Sequence, residues 1–259
     1  MNKGIIITVR SDSSRLQKKC YKKILDRYSI EYVIDQAKKS KLADVVVLCT
    51  TELTEDDNLC KIASDNGIEF YRGSVQDKLD RWRGACLKYN IDFFVTADGD
   101  DLFCDPELMD MAFCQYEKSQ SSVDFIKSDD VVCGSFTYGI KSEALYKVCD
   151  IKDTTDTEMM WVYFTETGLF NVEDLENIPK IFLRKDIRMT LDYQEDFEFF
   201  KRIIEYFGGN EFTSEELFDY LDDNKNVIEI NYFLENMWKE NQVNKTKLIL
   251  KDGAANEKP

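Results

Sequence analysis

Four short apolar runs, GIIITV (4–9), DVVVLCT (44–50), IEFYRG (68–73) and IDFFVTA (91–97), are each separated by a stretch with helical spacing. The spacers are SIEYVIDQAKKSKL (29–42), with apolar residues at Ile30, Val33, Ile34 and Ala37; TEDDNLCKIASDNG (54–67), opening on a threonine cap and closing on Gly67; and VQDKLDRWRGACLKYN (75–90). Strands divided by helices of this length require crossovers rather than hairpins. The pattern therefore predicts an α/β fold, a mostly parallel twisted sheet with helices on both faces. DPELMDMAFCQYEKS (105–119) follows as a helix with Asp105 as its cap and proline in its first turn. Beyond it, VDFIKS (123–128), CGSFTYGI (133–140) and PKIFLRKDIRMTLDY (179–193) read as strands around helical patterns at 142–149 and 155–167. From Gln194 the spacing is helical, over 194–207, 213–224 and 227–241. We expect one α/β domain over 1–207, a helical extension packed on it over 208–245, and a polar tail over 246–259.

The charge balance limits the partners. Lys and Arg number 34 against 50 Asp and Glu, a formal net charge of -16. That argues against nucleic acid or an anionic membrane surface, both of which need a basic face. No apolar segment approaches the ~20 residues of a membrane helix, and the opening MNKGIIITVRSD does not resemble a signal peptide. The eight cysteines are scattered without a C-x-x-C pair, which reads as buried thiols in a reducing cytoplasm. With no histidine in the chain, Ser-His and Cys-His chemistry is excluded and a zinc site is disfavoured.

Ligands of open parallel sheets bind outside the C-terminal strand ends, and three unusual segments fall at such ends. TVRSDSSRLQKKC (8–20) gathers Arg10, Arg15, Lys18 and Lys19 around Ser11, Ser13 and Ser14, a local basic island suited to phosphate. RGSVQDKLDR (72–81) follows the third strand, and DGDD (98–101) follows the fourth. Cations for phosphate oxygens beside carboxylates for a hard metal ion suit a magnesium nucleotide. Each segment also has a plainer reading: a solvated loop, a turn favoured by Gly99, and ion pairs of Arg72 and Arg81 with Asp77 and Asp80. Met159, Met160 and Trp161 read as a core stripe on a helix.

These blocks, with CTT (49–51) and MTLDYQEDFEF (189–199), resemble the cytidylyltransferase family of CMP-Kdo and CMP-sialate synthetases, and most of all its spore-coat-polysaccharide branch. The resemblance runs over about residues 3–235 with its blocks in order. The pattern A-R-x-G-S-x-R-L-P-x-K falls on Val9 to Lys19, R-G-S-x-x-D-x-L-x-R on Arg72 to Arg81, G-D-x-P-L-x-D-P on Gly99 to Pro106, and T-x-D-x-x-E-D-F on Thr190 to Phe197. The chain departs from it at Asp12 and Gln17 in the first loop, at Leu102, and at Glu158 to Trp161, where EMMW replaces E-H-V-T.

The resemblance implies a nucleotide-diphospho-sugar-transferase-like, three-layer fold and transfer of CMP from CTP to an acidic sugar or other anionic acceptor. Pyrophosphate is released, in cell-surface glycan or related biosynthesis. It implies that Arg10, Ser13, Ser14, Arg15 and Lys19 hold the triphosphate, Arg15 and Lys19 neutralising the leaving group. Asp100 and Asp192 would share one Mg²⁺, with Asp98 and Asp101 beside them. Thr50, Arg72, Asp77 and Arg81 match the nucleotide side, and Glu143 and Glu158 the acceptor side. A homodimer through the aromatic-rich 130–180 region is expected as well. Two other readings fit parts of the pattern. One is a glycosyltransferase using DGD as its D-x-D, which would have no need of the cationic loop. The other is a non-catalytic nucleotide-binding relative.

Overall fold

The computed structural model describes residues 1–13 and 15–254. The chain opens with β1 (Lys3–Thr8), whose Ile5, Ile6 and Ile7 are fully buried. After a long loop comes a hairpin, β2 (Lys23–Ile24) and β3 (Arg27–Tyr28). Then follow α1 (Ser29–Lys38), β4 (Val45–Thr51), α2 (Asp57–Asp65), β5 (Glu69–Gly73), α3 (Lys78–Tyr89), β6 (Phe93–Asp98) and α4 (Pro106–Lys118). The looser middle holds β7 (Phe125–Lys127), β8 (Tyr138–Lys141), α5 (Ser142–Ile151), the single turn α6 (Val162–Thr165) and β9 (Val172–Asp174). The C-terminal end is helical: α7 (Gln194–Phe207), α8 (Ser214–Asp223), α9 (Lys225–Ile228) and α10 (Glu235–Lys245).

Seven strands form one sheet in the order β5-β4-β1-β6-β8-β7-β9. β1 lies parallel to both β4 and β6, and β4 to β5, as the crossover argument requires. β8 runs antiparallel to β6 and β7. Alternation along the buried strands divides the core in two. Ile5, Ile7, Phe93 and Val95 face α1, α4 and α7, whereas Ile6, Val47 and Phe94 face Trp82 of α3 and Leu145 of α5.

Several local expectations are corrected. Residues 54–56 form a 3-10 turn before α2, and Thr54 makes no capping bond, although Gly67 does end the segment at φ +70°. Asp105 caps α4 as expected, accepting from the Glu107 and Leu108 N–H groups at 2.9 and 3.0 Å. Helix within 155–167 is confined to α6, so Met159 to Trp161 are not a helical stripe: Met160 is buried in the core and Trp161 packs against it, and all three border a cavity. The stretch 179–193 is not a strand. Apart from one 3-10 turn at Lys180–Phe182, it runs as a loop tied to other loops. Met189 N–H donates to the Cys133 carbonyl at 2.9 Å and Leu191 N–H to that of Asp100 at 2.8 Å. Of the segment read as a polar tail, Leu250 pairs antiparallel with Lys152. Of the aromatic residues in 130–180, Phe136, Tyr163 and Phe164 are buried in the chain's own core, whereas Tyr138, Tyr146, Trp161 and Phe170 are partly buried.

Candidate active site

A cavity of about 570 Å³ lies at the C-terminal ends of the parallel strands, where a doubly wound sheet places its ligands. Thr8 and Asp98 are paired in the β1–β6 register, so the cationic loop and the acidic segment leave the sheet side by side. Lys19 Nζ donates to Asp192 Oδ1 at 2.8 Å and also to Asp100 Oδ2. Arg15 Nη2 donates to the same Asp192 oxygen at 2.6 Å. Two carboxylates from distant parts of the chain thus converge on one ammonium group.

Each arm of this arrangement is held from behind. The cationic loop is fixed where Ser11 N–H donates to Asp56 at 2.8 Å, Asp56 also taking the Thr51 hydroxyl. Asp192 is fixed through Asp196, which accepts its N–H at 2.8 Å and that of Tyr193 at 2.9 Å. Asp196 in turn meets the fully buried Arg188 at 3.0 and 3.2 Å, and the Asn231 amide at 2.9 Å. Glu235 of α10 completes the Arg188 cage at 3.2 Å, and the Trp238 ring lies 5.0 Å from its guanidinium. A buried guanidinium needs partners on this scale to offset its lost hydration.

The electrostatics follow from crowding. Burial works against the charged form of Lys19, but Asp100 and Asp192 outweigh it and raise its pKa. Burial would lift Asp192 too, yet Lys19 and Arg15 pull it down to about 2, so it stays anionic. Asp100 is shifted upward by burial, which Lys19 opposes and Asp192 and Asp98 reinforce. Asp101 is held well above the ordinary carboxylate range by burial and by the neighbouring Asp100 and Asp98.

Of the residues singled out in the sequence, Arg10, Ser13, Arg15, Lys19, Arg81, Asp98, Asp100, Glu158 and Asp192 border this cavity. Arg10 and Glu158 pair across it at 3.1 Å, and Lys78 holds Asp98 at 2.9 Å. Arg81 Nη1 donates to the Ser74 and Val75 carbonyls at 2.6 and 3.2 Å, fixing the loop after β5. Ser14 lies outside the described residues. Four others are not brought to the cavity. Thr50 is fully buried. Arg72 turns back onto the β4–α2 connection, donating to Thr51 and Leu53 carbonyls at 3.0 and 2.8 Å and pairing with Asp57 at 2.7 Å. Asp77 caps α3 and binds Lys152 and Thr157. Glu143 is exposed and pairs with Lys141 at 2.9 Å. Sequence reasoning missed Arg188, Asn231 and Glu235. The one available signal was an arginine between the apolar Ile187 and Met189, within the stretch that reads as a strand.

A family model described as cytidylyltransferase matches residues 4–233. The chain belongs to the cytidylyltransferase family. It is therefore a nucleotidyltransferase, and family membership displaces the glycosyltransferase alternative. Two curated relatives are similar along most of their length. An uncharacterised protein of Methanocaldococcus jannaschii is 29% identical over 87% of this chain and 93% of its own. The spore coat polysaccharide biosynthesis protein SpsF of Bacillus subtilis is 24% identical over 78% of this chain and 86% of its own. A solved cytidylyltransferase from Leptospira borgpetersenii serovar Hardjo-bovis superposes with a TM-score of 0.80 at 27% identity, covering 88% of this chain and 97% of that one. CMP:2-keto-3-deoxy-manno-octonic acid synthetase complexed with CTP shares the fold, with a TM-score of 0.62 at 14% identity, covering 80% of this chain and 99% of that one.

The donor set of this cytidylyltransferase suits a hard divalent cation. Asp100 and Asp192 present carboxylate oxygens to one point already chosen by a cation, the Lys19 ammonium. Among the described residues no cluster of three ligand-type side chains forms. A divalent ion held by Asp100 and Asp192 would take the rest of its shell from water and substrate phosphate.

Proposed function

We propose that the chain transfers CMP from CTP to a small anionic acceptor and releases pyrophosphate, with Mg²⁺ as cofactor, in the assembly of a surface polysaccharide. The observation that carries this reading is the meeting of Lys19, Asp100 and Asp192 beside the cationic loop. The spore-coat name of one relative and the CTP complex of a structural neighbour point the same way.

In this mechanism Arg10, Ser13 and Arg15 grip the triphosphate oxygens, and Lys19 neutralises charge as pyrophosphate departs. An acceptor oxygen attacks the α-phosphorus in line, the Pα–O–Pβ bond breaks, and the electron pair leaves with pyrophosphate. Such a reaction asks the protein for positioning and charge compensation more than covalent help. Asp100 and Asp192 are the residues that would hold Mg²⁺, whose contribution when bound is to neutralise phosphate charge. An acceptor already ionised at its attacking oxygen needs no proton removed, which suits a chain without histidine. Lys127, Arg184 and Lys185 also border the cavity, each paired with a carboxylate that an anionic acceptor would have to compete with: Asp174 at 2.9 Å, Asp186 at 2.7 Å and Asp130 at 2.7 Å.

The test is pyrophosphate release from each of the four NTPs with Mg²⁺, against 2-keto sugar acids, sugar 1-phosphates and small phosphonates. Release with CTP and one acceptor class, abolished in Asp100→Ala, is expected. Equal release from all four NTPs overturns the base preference, and failure to bind any NTP overturns the reading itself.

A further inference from the structure

The cavity does not end with the region that the family model matches. Helix α10 begins two residues beyond residue 233, and Glu235, Trp238, Lys239, Gln242 and Lys245 all border the cavity. Their offsets of three, four, seven and ten residues put them on one helical face. The remaining positions carry the exposed Asn236, Met237, Glu240 and Asn244, so α10 is predominantly polar on every side and lays one of its polar faces along the cavity.

The chain then doubles back. Asp153 N–H donates to the Ile249 carbonyl and Lys251 N–H to the Ile151 carbonyl, both at 2.9 Å, around the Lys152–Leu250 pairing. Ile249 N–H also reaches the Tyr163 hydroxyl at 3.3 Å. Residues 235–251 therefore form a strap. It borders the cavity with α10 and pins the 151–163 segment, from which Glu158, Met159 and Trp161 border the same cavity.

Two features of the strap lack internal partners. The Trp238 indole Nε1–H is buried with no acceptor, and an indole nitrogen can only donate. Lys245 is in none of the ion pairs among the described residues, whereas Lys239 meets Glu235 at 3.1 Å. An unpaired donor and a free cation on one polar face are complementary to an oxygen-rich anion. The strap starts beside the converging carboxylates, where Glu235 and Trp238 close on Arg188 behind Asp192, and Lys239, Gln242 and Lys245 continue along the cavity wall from there.

We propose that the 235–251 strap is the acceptor-selecting wall of this enzyme, with Trp238, Gln242, Lys239 and Lys245 receiving the anionic group of the acceptor, a carboxylate or a phosphate. The inference rests on the nucleotidyl-transfer reading above. It assigns specificity to a segment outside the matched family region and separates acceptor binding from nucleotide binding along the chain.

The test compares wild type with Trp238→Phe and with a Lys239→Ala/Lys245→Ala double variant, all thermally melted to verify folding. Pyrophosphate release is followed with CTP and either 2-keto-3-deoxy-manno-octonic acid or a sugar 1-phosphate, the two arms distinguishing carboxylate from phosphate. The acceptor KM is expected to rise about tenfold or more in both variants while the CTP KM stays within about twofold. A second readout is tryptophan emission in a Trp161→Phe background, where acceptor, but not CTP, should perturb Trp238. Unchanged acceptor KM, or acceptor and CTP KM rising together, overturns the inference. CTP binding with no response to either acceptor also overturns it but leaves nucleotide binding intact. Failure to bind CTP removes the underlying reading as well.

Discussion

Asp192 and Arg72 look alike in the sequence, each a charged residue inside a recognisable block, yet their surroundings assign them different fates. Asp192 is shared by Lys19 and Arg15 within the cavity, so Asp192→Asn should lower kcat by about 10²–10³-fold, the scale of losing one preorganised charge partner. Arg72 is spent on carbonyls of the β4–α2 connection, so Arg72→Ala should leave the CTP KM within about twofold; steady-state kinetics of both variants checks this. Arg188 is a structural counterpart. Arg188→Met strands the Asp196 and Glu235 carboxylates and should cost about 3–5 kcal/mol by urea denaturation. Arg10, Arg15, Lys19, Asp98 and Asp100 could be read from their positions after strands, whereas Asp192 was legible only through the resemblance of its block. The Arg188 cage could not, because its members come from three separate segments and share no spacing.

Among the elements, the buried parallel strands were readable because β-branched runs bounded by helical spacers admit little else. The β2–β3 hairpin was not: its turn residues Leu25 and Asp26 take φ of 46° and 63° without the glycine or asparagine that signals such a turn. Residues 179–193 misled for a different reason. Their strand-like run is satisfied by loop partners, notably at Gly134, where an added Cβ would meet the Met189 carbonyl oxygen at 2.0 Å and φ is +86°. Gly134→Ala should therefore cost about 1–3 kcal/mol from backbone strain alone and loosen the loop that carries Asp192; thermal melting and kcat together report it. The anchor of the cationic loop has a pH signature. Burial pushes the Asp56 carboxyl up, but hydrogen bonds from Thr51 and Ser11 outweigh it and lower the pKa from 3.8. The folded form thus binds a proton less readily than the unfolded chain. Its stabilisation is full above the ordinary carboxylate value and is lost as pH falls towards the lowered one. Thr51→Val should move the acid-unfolding midpoint to higher pH, followed by circular dichroism.

For the whole molecule the decisive number is the net charge of -16, set against a cavity whose cations, Arg10, Arg15 and Lys19 among them, stand beside carboxylates they already pair with. At about 10 mM salt the remote carboxylates repel an approaching triphosphate across a screening length of ~30 Å, which shrinks to ~10 Å near 100 mM. The short-range contacts inside the cavity are screened much less. CTP association should therefore quicken over that range of ionic strength, and a stopped-flow rate that falls instead would show that the local cations dominate the approach. The closing of residues 249–251 onto 151–153 carries its own consequence in time. A nascent chain translated only as far as Leu234 already has the residues of the sheet, the cationic loop and both converging carboxylates, but not Glu235 and Trp238, which close the Arg188 cage behind Asp192. The last support of Asp192 is thus the last part of the cavity wall to be synthesised.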